Sequence, residues 1–385
     1  MSTSKPYKNC LILYVLWHDK FKEGQRWANL IYSTFNRNNY FRPLSRGIGI
    51  PVFFRYGSDK FPSDIDLDDA EHSAVILLVD DNMVSDVNWE NYINTLWERI
   101  ENSDGKHRLF PVALSPSSFN LSSIISLYQF IRIHGLQKRA RVLIRQLSHE
   151  LSRLLLGFPS LPQLCTGQTT FSPPPLKLFL SHAKRDGEKI TKRIRNYINE
   201  ETGLRTFFDA LDIPAGRSFS DELKDNIKNS NLLLVVQTDA YASRQWCLNE
   251  VIYAKQCELP VIVVNAIQCG EMRSFPYLGN VPVIRWNSEK DIPKVINLAL
   301  LETLRYRYTK LYLKDFSTLF HAGRKYEILS CPPELFSLVH MKSLLKDSEF
   351  IVYPDPPLSY GETQVIDLVE PGCIYLTPTM IPTFF

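Results

Sequence analysis

Residues 241–251 read YASRQWCLNEV and lie just beyond an apolar run at 232–236, LLLVV. A short continuous apolar run of this kind reads as a buried strand, and the stretch after it as the opening of a helix. On that helix Trp246 and Glu250 are four residues apart and share one face. Cys247, Val251 and Ala254 fall on a neighbouring apolar face suited to pack on a sheet. The wet face therefore carries a carboxylate with a large flat ring one turn before it. Such a pair suits a flat ligand with a negative charge set against it.

Working outward, strands are expected at 177–181, 204–208, 259–266 and 281–286, with a helix over 186–200 that offers Ile190, Ile194 and Ile198 to a core. Strands alternating with helices predict an open parallel sheet covered on both faces. Ligands of such sheets bind outside the carboxyl ends of the strands. Ser181 and His182 end the first strand, Asp209 and Ala210 the second, and Thr238 and Asp239 the third, with Glu250 on the helix that follows. No G-x-G-x-x-G fingerprint and no G-x-x-x-x-G-K-[ST] loop is present; in GIGIP at 47–51 a proline stands where a dinucleotide loop needs its helix to open.

Three pieces in order, LFLSHA at 178–183, TFFDALDIPAGRSF at 206–219 and Ser243-x-x-Trp246-Cys247-x-x-Glu250, resemble a TIR (Toll/interleukin-1 receptor) domain in the version found in bacterial NAD-consuming enzymes. The resemblance covers 176–286, about a third of the chain. It implies a flavodoxin-like, doubly wound, parallel five-stranded sheet. It also implies an NAD+ glycohydrolase that cleaves the nicotinamide–ribose bond and releases nicotinamide with ADP-ribose or a cyclic isomer. Glu250 would be catalytic; Trp246, Ser243, Tyr241, Ser181, Phe208 and Asp209 would border the substrate. Nicotinamide leaves NAD+ as a neutral group, and the ribose becomes oxocarbenium-like, so one carboxylate placed where that charge develops can suffice. NAD is then a substrate; no cofactor and no metal is expected. The family resemblance further implies self-association through TIR domains, a role in antiphage defence, and a sensor or activator encoded elsewhere.

Each assignment has a plainer rival. Trp246 serves packing as readily as a ligand, Cys247 reads as core, Asp209 as a loop cap, and His182 as a strand-end histidine satisfied by backbone. Two other functions stay open: a non-catalytic TIR assembly scaffold, and a nucleotide-sensing module that binds without cleaving.

The remainder sets the frame. A chain of 385 residues predicts two or three domains. With 44% apolar and 22% charged residues it reads as globular, and a net charge of +3 gives no reason to expect nucleic acid. Seven scattered cysteines without metal-ligand spacing fit a reducing cytosol. No signal-peptide pattern and no membrane-length apolar run is present, so a cytoplasmic location is expected.

Residues 1–156 also alternate strand and helix: VFFR at 52–55 parallels TFFD at 206–209, and Trp89 falls near where Trp246 falls. This half either is a second TIR-like domain or an unrelated α/β domain. As a TIR-like domain it would be non-catalytic, because Ile93 follows Trp89 by four residues and Arg55 replaces an aspartate. A basic helix over 137–156 presents a solvated face. Prolines 159, 162, 173, 174 and 175 mark a linker at 157–175, which divides this half from the catalytic domain at 176–300. Residues 301–385 read as a helix and a small α/β appendage.

Overall fold

The run LILYVLW at 11–17 forms the inner strand β1 (Ile12–Trp17), and every residue of the strand is buried. A strand inside a parallel sheet has helices over both faces, so both sets of alternating side chains must be apolar. The computed structural model describes residues 8–36, 47–57, 62, 64–156, 175–207, 219–271, 274–320, 325–334, 348–369 and 372–384. It divides into two units, Met1–Pro173 and Pro174–Phe385. The expected linker lies almost wholly outside the described residues.

In the first unit the elements run β1, α1 (Gly24–Phe35), β2 (Val52–Tyr56), β3 (Ser73–Val79), α2 (Asp81–Val84), α3 (Val87–Glu101), β4 (His107–Ala113), β5 (Ile131–Arg132) and α4 (Arg139–Leu155). The sheet order is β2-β1-β3-β4-β5, all parallel. One core gathers Leu16, Leu77, Met83, Trp89, Ile93 and Leu96 among others. The basic helix α4 is less solvated than its sequence suggests: Arg153 is mostly buried and pairs with Glu150 at 2.9 Å.

The second unit repeats the order. It runs β6 (Lys177–His182), α5 (Glu188–Glu201), β7 (Arg205–Phe207), α6 (Phe219–Lys228), β8 (Leu232–Gln237), α7 (Gln245–Gln256), β9 (Val261–Asn265), β10 (Val283–Arg285) and α8 (Ile292–Phe320). The sheet is β7-β6-β8-β9-β10, again all parallel. The two sheets thus share one strand order, as the tandem reading expects. The loop over 208–218 lies outside the described residues.

Beyond these stands a third sheet, β11 (Tyr326–Ile328), β12 (Phe350–Val352) and β13 (Ile374–Leu376), parallel in the order β11-β12-β13. Its core takes Leu313 from the distal half of α8 together with Phe350, Val352 and Leu376. The sequence boundary at 300/301 therefore falls inside one continuous helix.

The register corrects one expectation. Leu114 N donates to Val79 O at the end of β3, as Ala266 N donates to Gln237 O at the end of β8, so Val79 matches Gln237. Counting forward, the buried α3 residues Trp89, Ile93 and Leu96 match the buried α7 residues Cys247, Val251 and Ala254. Trp89 is thus the counterpart of Cys247, not of Trp246, and the residue at Glu250's place is Tyr92, not Ile93. The letters mislead because one tryptophan is core, 4% exposed, and the other lies outward, 52% exposed.

Candidate active site

The carboxyl end of β6 delivers Ser181 and His182, and the end of β8 leads through a short 3-10 turn (Tyr241–Ser243) into α7. These two strands are neighbours, with Ser181 opposite Val235 and His182 opposite Val236. Glu250 stands in the second turn of α7 on the side facing β6. Its Oε2 accepts a hydrogen bond from Ser181 Oγ. Ser181 Oγ in turn meets the Tyr241 hydroxyl at 2.6 Å.

Burial grades this group sharply. Tyr241 is 0% and Ser181 1% exposed, while Glu250 is half-buried. The Tyr241 ring sits edge-on to Phe275 at 5.3 Å inside the core of the second sheet. Burial pushes its hydroxyl well above the ordinary phenol value, and the Cys247 and Glu250 charges push the same way, against the Ser181 hydrogen bond. Burial likewise raises the Cys247 thiol, which reads as core and not as a nucleophile. The macrodipole of α7 contributes little at Glu250, because its effect fades within the first turn. Side-chain donors must therefore hold this carboxylate.

The residues expected around the substrate separate into groups. Glu250, Ser181 and Tyr241 are brought together. Trp246 lies one turn before Glu250 and is half-exposed. Ser243 spends its hydroxyl on Ala240 O at 2.8 Å, capping its own turn. Tyr241 lies beneath the site and not in its wall, since a fully buried ring presents no surface. Phe208 and Asp209 lie outside the described residues.

Sequence reading missed the frame. Asp186 accepts from Thr238 Oγ1 at 2.6 Å and from Ala240 N at 2.9 Å, which ties the β6–α5 loop to the turn before α7. Asp239 accepts from the backbone N–H groups of Gln268 at 2.8 Å, Cys269 at 3.0 Å and Gly270 at 3.4 Å, and these bonds hold its carboxyl below the usual range. Thr238 and Asp239 thus brace loops. An acid one to four residues past a strand end was the available signal, but its partners lie about 30 to 50 residues away.

A cavity of about 420 Å3 opens elsewhere, near Leu259 and Val261, at the amino ends of the strands. Arg305 and Tyr306 join its wall from α8, and Cys331 and Glu334 from the segment after β11. It is remote from Glu250 by the direction of the strands. Among the described residues no group of three or more His, Cys, Asp or Glu side chains is placed to hold a metal ion. None of the described cysteines is in a disulfide. No helix among the described residues is long and apolar enough to cross a membrane.

Fold and site together define a doubly wound parallel α/β domain with the Glu250 carboxylate held by Ser181 at its strand ends. Residues 178–295 are a TIR domain by their match to that family. Over 82 residues the chain is 32% identical to the TMV resistance protein N of Nicotiana glutinosa; this covers 21% of the chain and 7% of that protein's length. Among solved structures it is similar to the TIR domain of the Toll-related receptor TRR-2 from Hydra magnipapillata. That match has 20% identity and a TM-score of 0.28, covering 33% of this chain and 97% of the other. It is also similar to the TIR domains of the activated Roq1 resistosome that recognises the effector XopQ. There the identity is 20% and the TM-score 0.23, with 34% and 83% covered.

Proposed function

We propose that the TIR domain is an NAD+ glycohydrolase in which Glu250 stabilises the oxocarbenium-like ribose as nicotinamide departs. The observation that carries this reading is the Glu250 carboxylate, half-buried at the carboxyl edge of the sheet and accepting from Ser181. A preorganised charge at the point where positive charge develops is the catalytic device this reaction needs. The half-exposed Trp246 ring one turn earlier offers a flat surface for a flat leaving group. The product is ADP-ribose or a cyclic isomer, according to whether water or an adenine nitrogen meets the ribose.

A defence role in the cytosol completes the reading, supported by the curated relative's being a resistance protein. Self-association through TIR domains is the proposed switch. The first unit is assigned a non-catalytic part in sensing or assembly. Leu16, Met83 and Tyr92 fill the place of its active site and supply no carboxylate.

The test is nicotinamide release from NAD+ by wild type and Glu250→Gln, each over a range of protein concentrations. Loss of turnover by about 10²–10³-fold, with an unchanged circular dichroism spectrum, is expected. A turnover number that climbs with concentration would identify assembly as the switch. Assembled wild-type protein that leaves NAD+ intact would overturn the enzyme reading in favour of a scaffold, or of a sensor if NAD+ binds without being cleaved.

A further inference from the structure

We propose that Ser181 and Tyr241 are positioning residues: a buried, one-way chain of hydroxyl donors that fixes one oxygen of Glu250 in place for the reacting sugar. The inference rests on the glycohydrolase reading and adds to it a role that neither residue's place in the sequence reveals.

The direction follows from counting protons. A serine hydroxyl has one hydrogen. Ser181 Oγ gives it to Glu250 Oε2. The 2.6 Å contact between Ser181 Oγ and the Tyr241 hydroxyl must then be a donation from tyrosine to serine. Tyr241 keeps its proton because it is wholly enclosed in the core. The chain therefore runs from a phenol that does not ionise, through a serine, to a carboxylate, and every donor points toward the site. Neither hydroxyl faces solvent, so a ligand meets the carboxylate and not the two groups that hold it.

The backbone makes this chain stiff. Ser181 lies on an inner strand bonded on both sides, to β7 and to β8. Tyr241 is set by the 3-10 turn, which Asp186 pins through Ala240 N. A glutamate side chain alone has three freely rotating bonds; one held oxygen removes most of that freedom before substrate arrives. Among the described residues, Cys247 and Glu250 act on the Tyr241 hydroxyl, and Glu250, Arg244 and Asp186 act on the Cys247 sulfur.

The first sheet supplies an independent observation. Leu16 pairs with Leu77 as Ser181 pairs with Val235, so Leu16 holds the serine's place. Met83 holds the place of Tyr241 and Tyr92 that of Glu250, by the register already described. Where the carboxylate is missing, both hydroxyl donors are missing too. A serine and a tyrosine needed only for packing would have no reason to depart together with the acid.

The experiment uses the full chain and follows NAD+ cleavage by wild type, Ser181→Ala, Ser181→Thr, Tyr241→Phe and the Ser181→Ala/Tyr241→Phe double variant. Misplacing a catalytic group by an ångström costs about 10²-fold. For Ser181→Ala we expect kcat to fall by about 10- to 100-fold with KM nearly unchanged. Ser181→Thr, which keeps the hydroxyl, restores most of it. Tyr241→Phe loses less, and the double variant loses no more than Ser181→Ala, because the tyrosine acts through the serine. A raised KM at constant kcat in Ser181→Ala, or additive losses in the double variant, would overturn the proposal while leaving the glycohydrolase reading in place. If the wild type does not cleave NAD+, a double-mutant cycle in urea unfolding between Ser181→Ala and Glu250→Gln still decides: coupling supports the chain, strict additivity removes it.

Discussion

Leu16, Met83 and Tyr92 occupy in the first sheet the positions that Ser181, Tyr241 and Glu250 occupy in the second. The frames around them are alike: five parallel strands in one order, a turn after the third strand, and a helix whose buried residues repeat at the same places. One set is apolar but for a single hydroxyl; the other is a hydrogen-bonded chain that ends in a charge. The comparison separates what the fold needs from what the chemistry needs. Neither serine, tyrosine nor glutamate is required to close the sheet, since the first unit closes without them. Function in such a fold resides in a few side chains grafted on a common scaffold.

The comparison is broken most severely by exchanging the sets. Ser181→Leu/Tyr241→Met/Glu250→Tyr should abolish nicotinamide release, a loss of at least about 10²–10³-fold. Cooperative urea unfolding should persist at a cost of about 1–3 kcal/mol, as for refilled cores. A triple variant that keeps its activity would remove Glu250 from the mechanism, and one that fails to fold would deny that the two frames are equivalent.

A second contrast concerns the far end of α7. Lys255, five residues after Glu250, is nearly buried and pairs with Glu334, next to the third sheet. Gly279 passes so close that a Cβ there would fall 2.7 Å from Glu334 Oε1. Lys255→Ala removes this charged partner from a partly buried carboxylate and should cost about 1–3 kcal/mol in chemical unfolding. An unchanged midpoint would show that the third sheet docks without this pair.

The mildest pair of changes sharpens the comparison most. Tyr241→Phe removes a hydroxyl bonded to Ser181 and should cost about 1 kcal/mol. The buried Tyr92 hydroxyl finds no partner among the described residues, so Tyr92→Phe should cost nothing or stabilise. Burial, helped by Asp64, pushes the Tyr92 phenol up to about 12. In the unfolded chain a phenol ionises near ~10, so stability is present below that value and is lost as the pH rises from there toward the folded value. Tyr92→Phe should flatten that part of the alkaline loss. Equal effects of the two phenylalanine variants would contradict the assignment of one tyrosine to a chain and the other to packing.

Much of this was legible in the letters. Apolar runs such as LLLVV at 232–236 and LILYVLW at 11–17 marked inner strands, because a strand covered on both faces has no polar side. Ser243-x-x-Trp246-Cys247-x-x-Glu250 marked the acid. What failed to show was contact across distance. Tyr241 read as a wall residue, since a tyrosine beside a site carries no sign of being sealed beneath it. Asp186 gave no hint of its bonds to Thr238 and Ala240, which are long-range. Trp89 invited the wrong pairing because identity of letter outweighed helical register. The short edge strand β11, with the sequence YEI, lacks the apolar run by which strands are recognised.

The helix α8 has 29 residues and so measures about 43 Å. Its first half closes the TIR sheet through Val295, Ile296, Ala299 and Leu300, and its second half seats the third sheet through Leu313. A hinge would let the two ends move apart without consequence; an unbroken rod does not. The same helix packs on strands β8 and β9, one of which leads into the turn that carries Tyr241. The third sheet is thus carried on the last helix of the TIR domain itself, so the two share one structural member and not a linker.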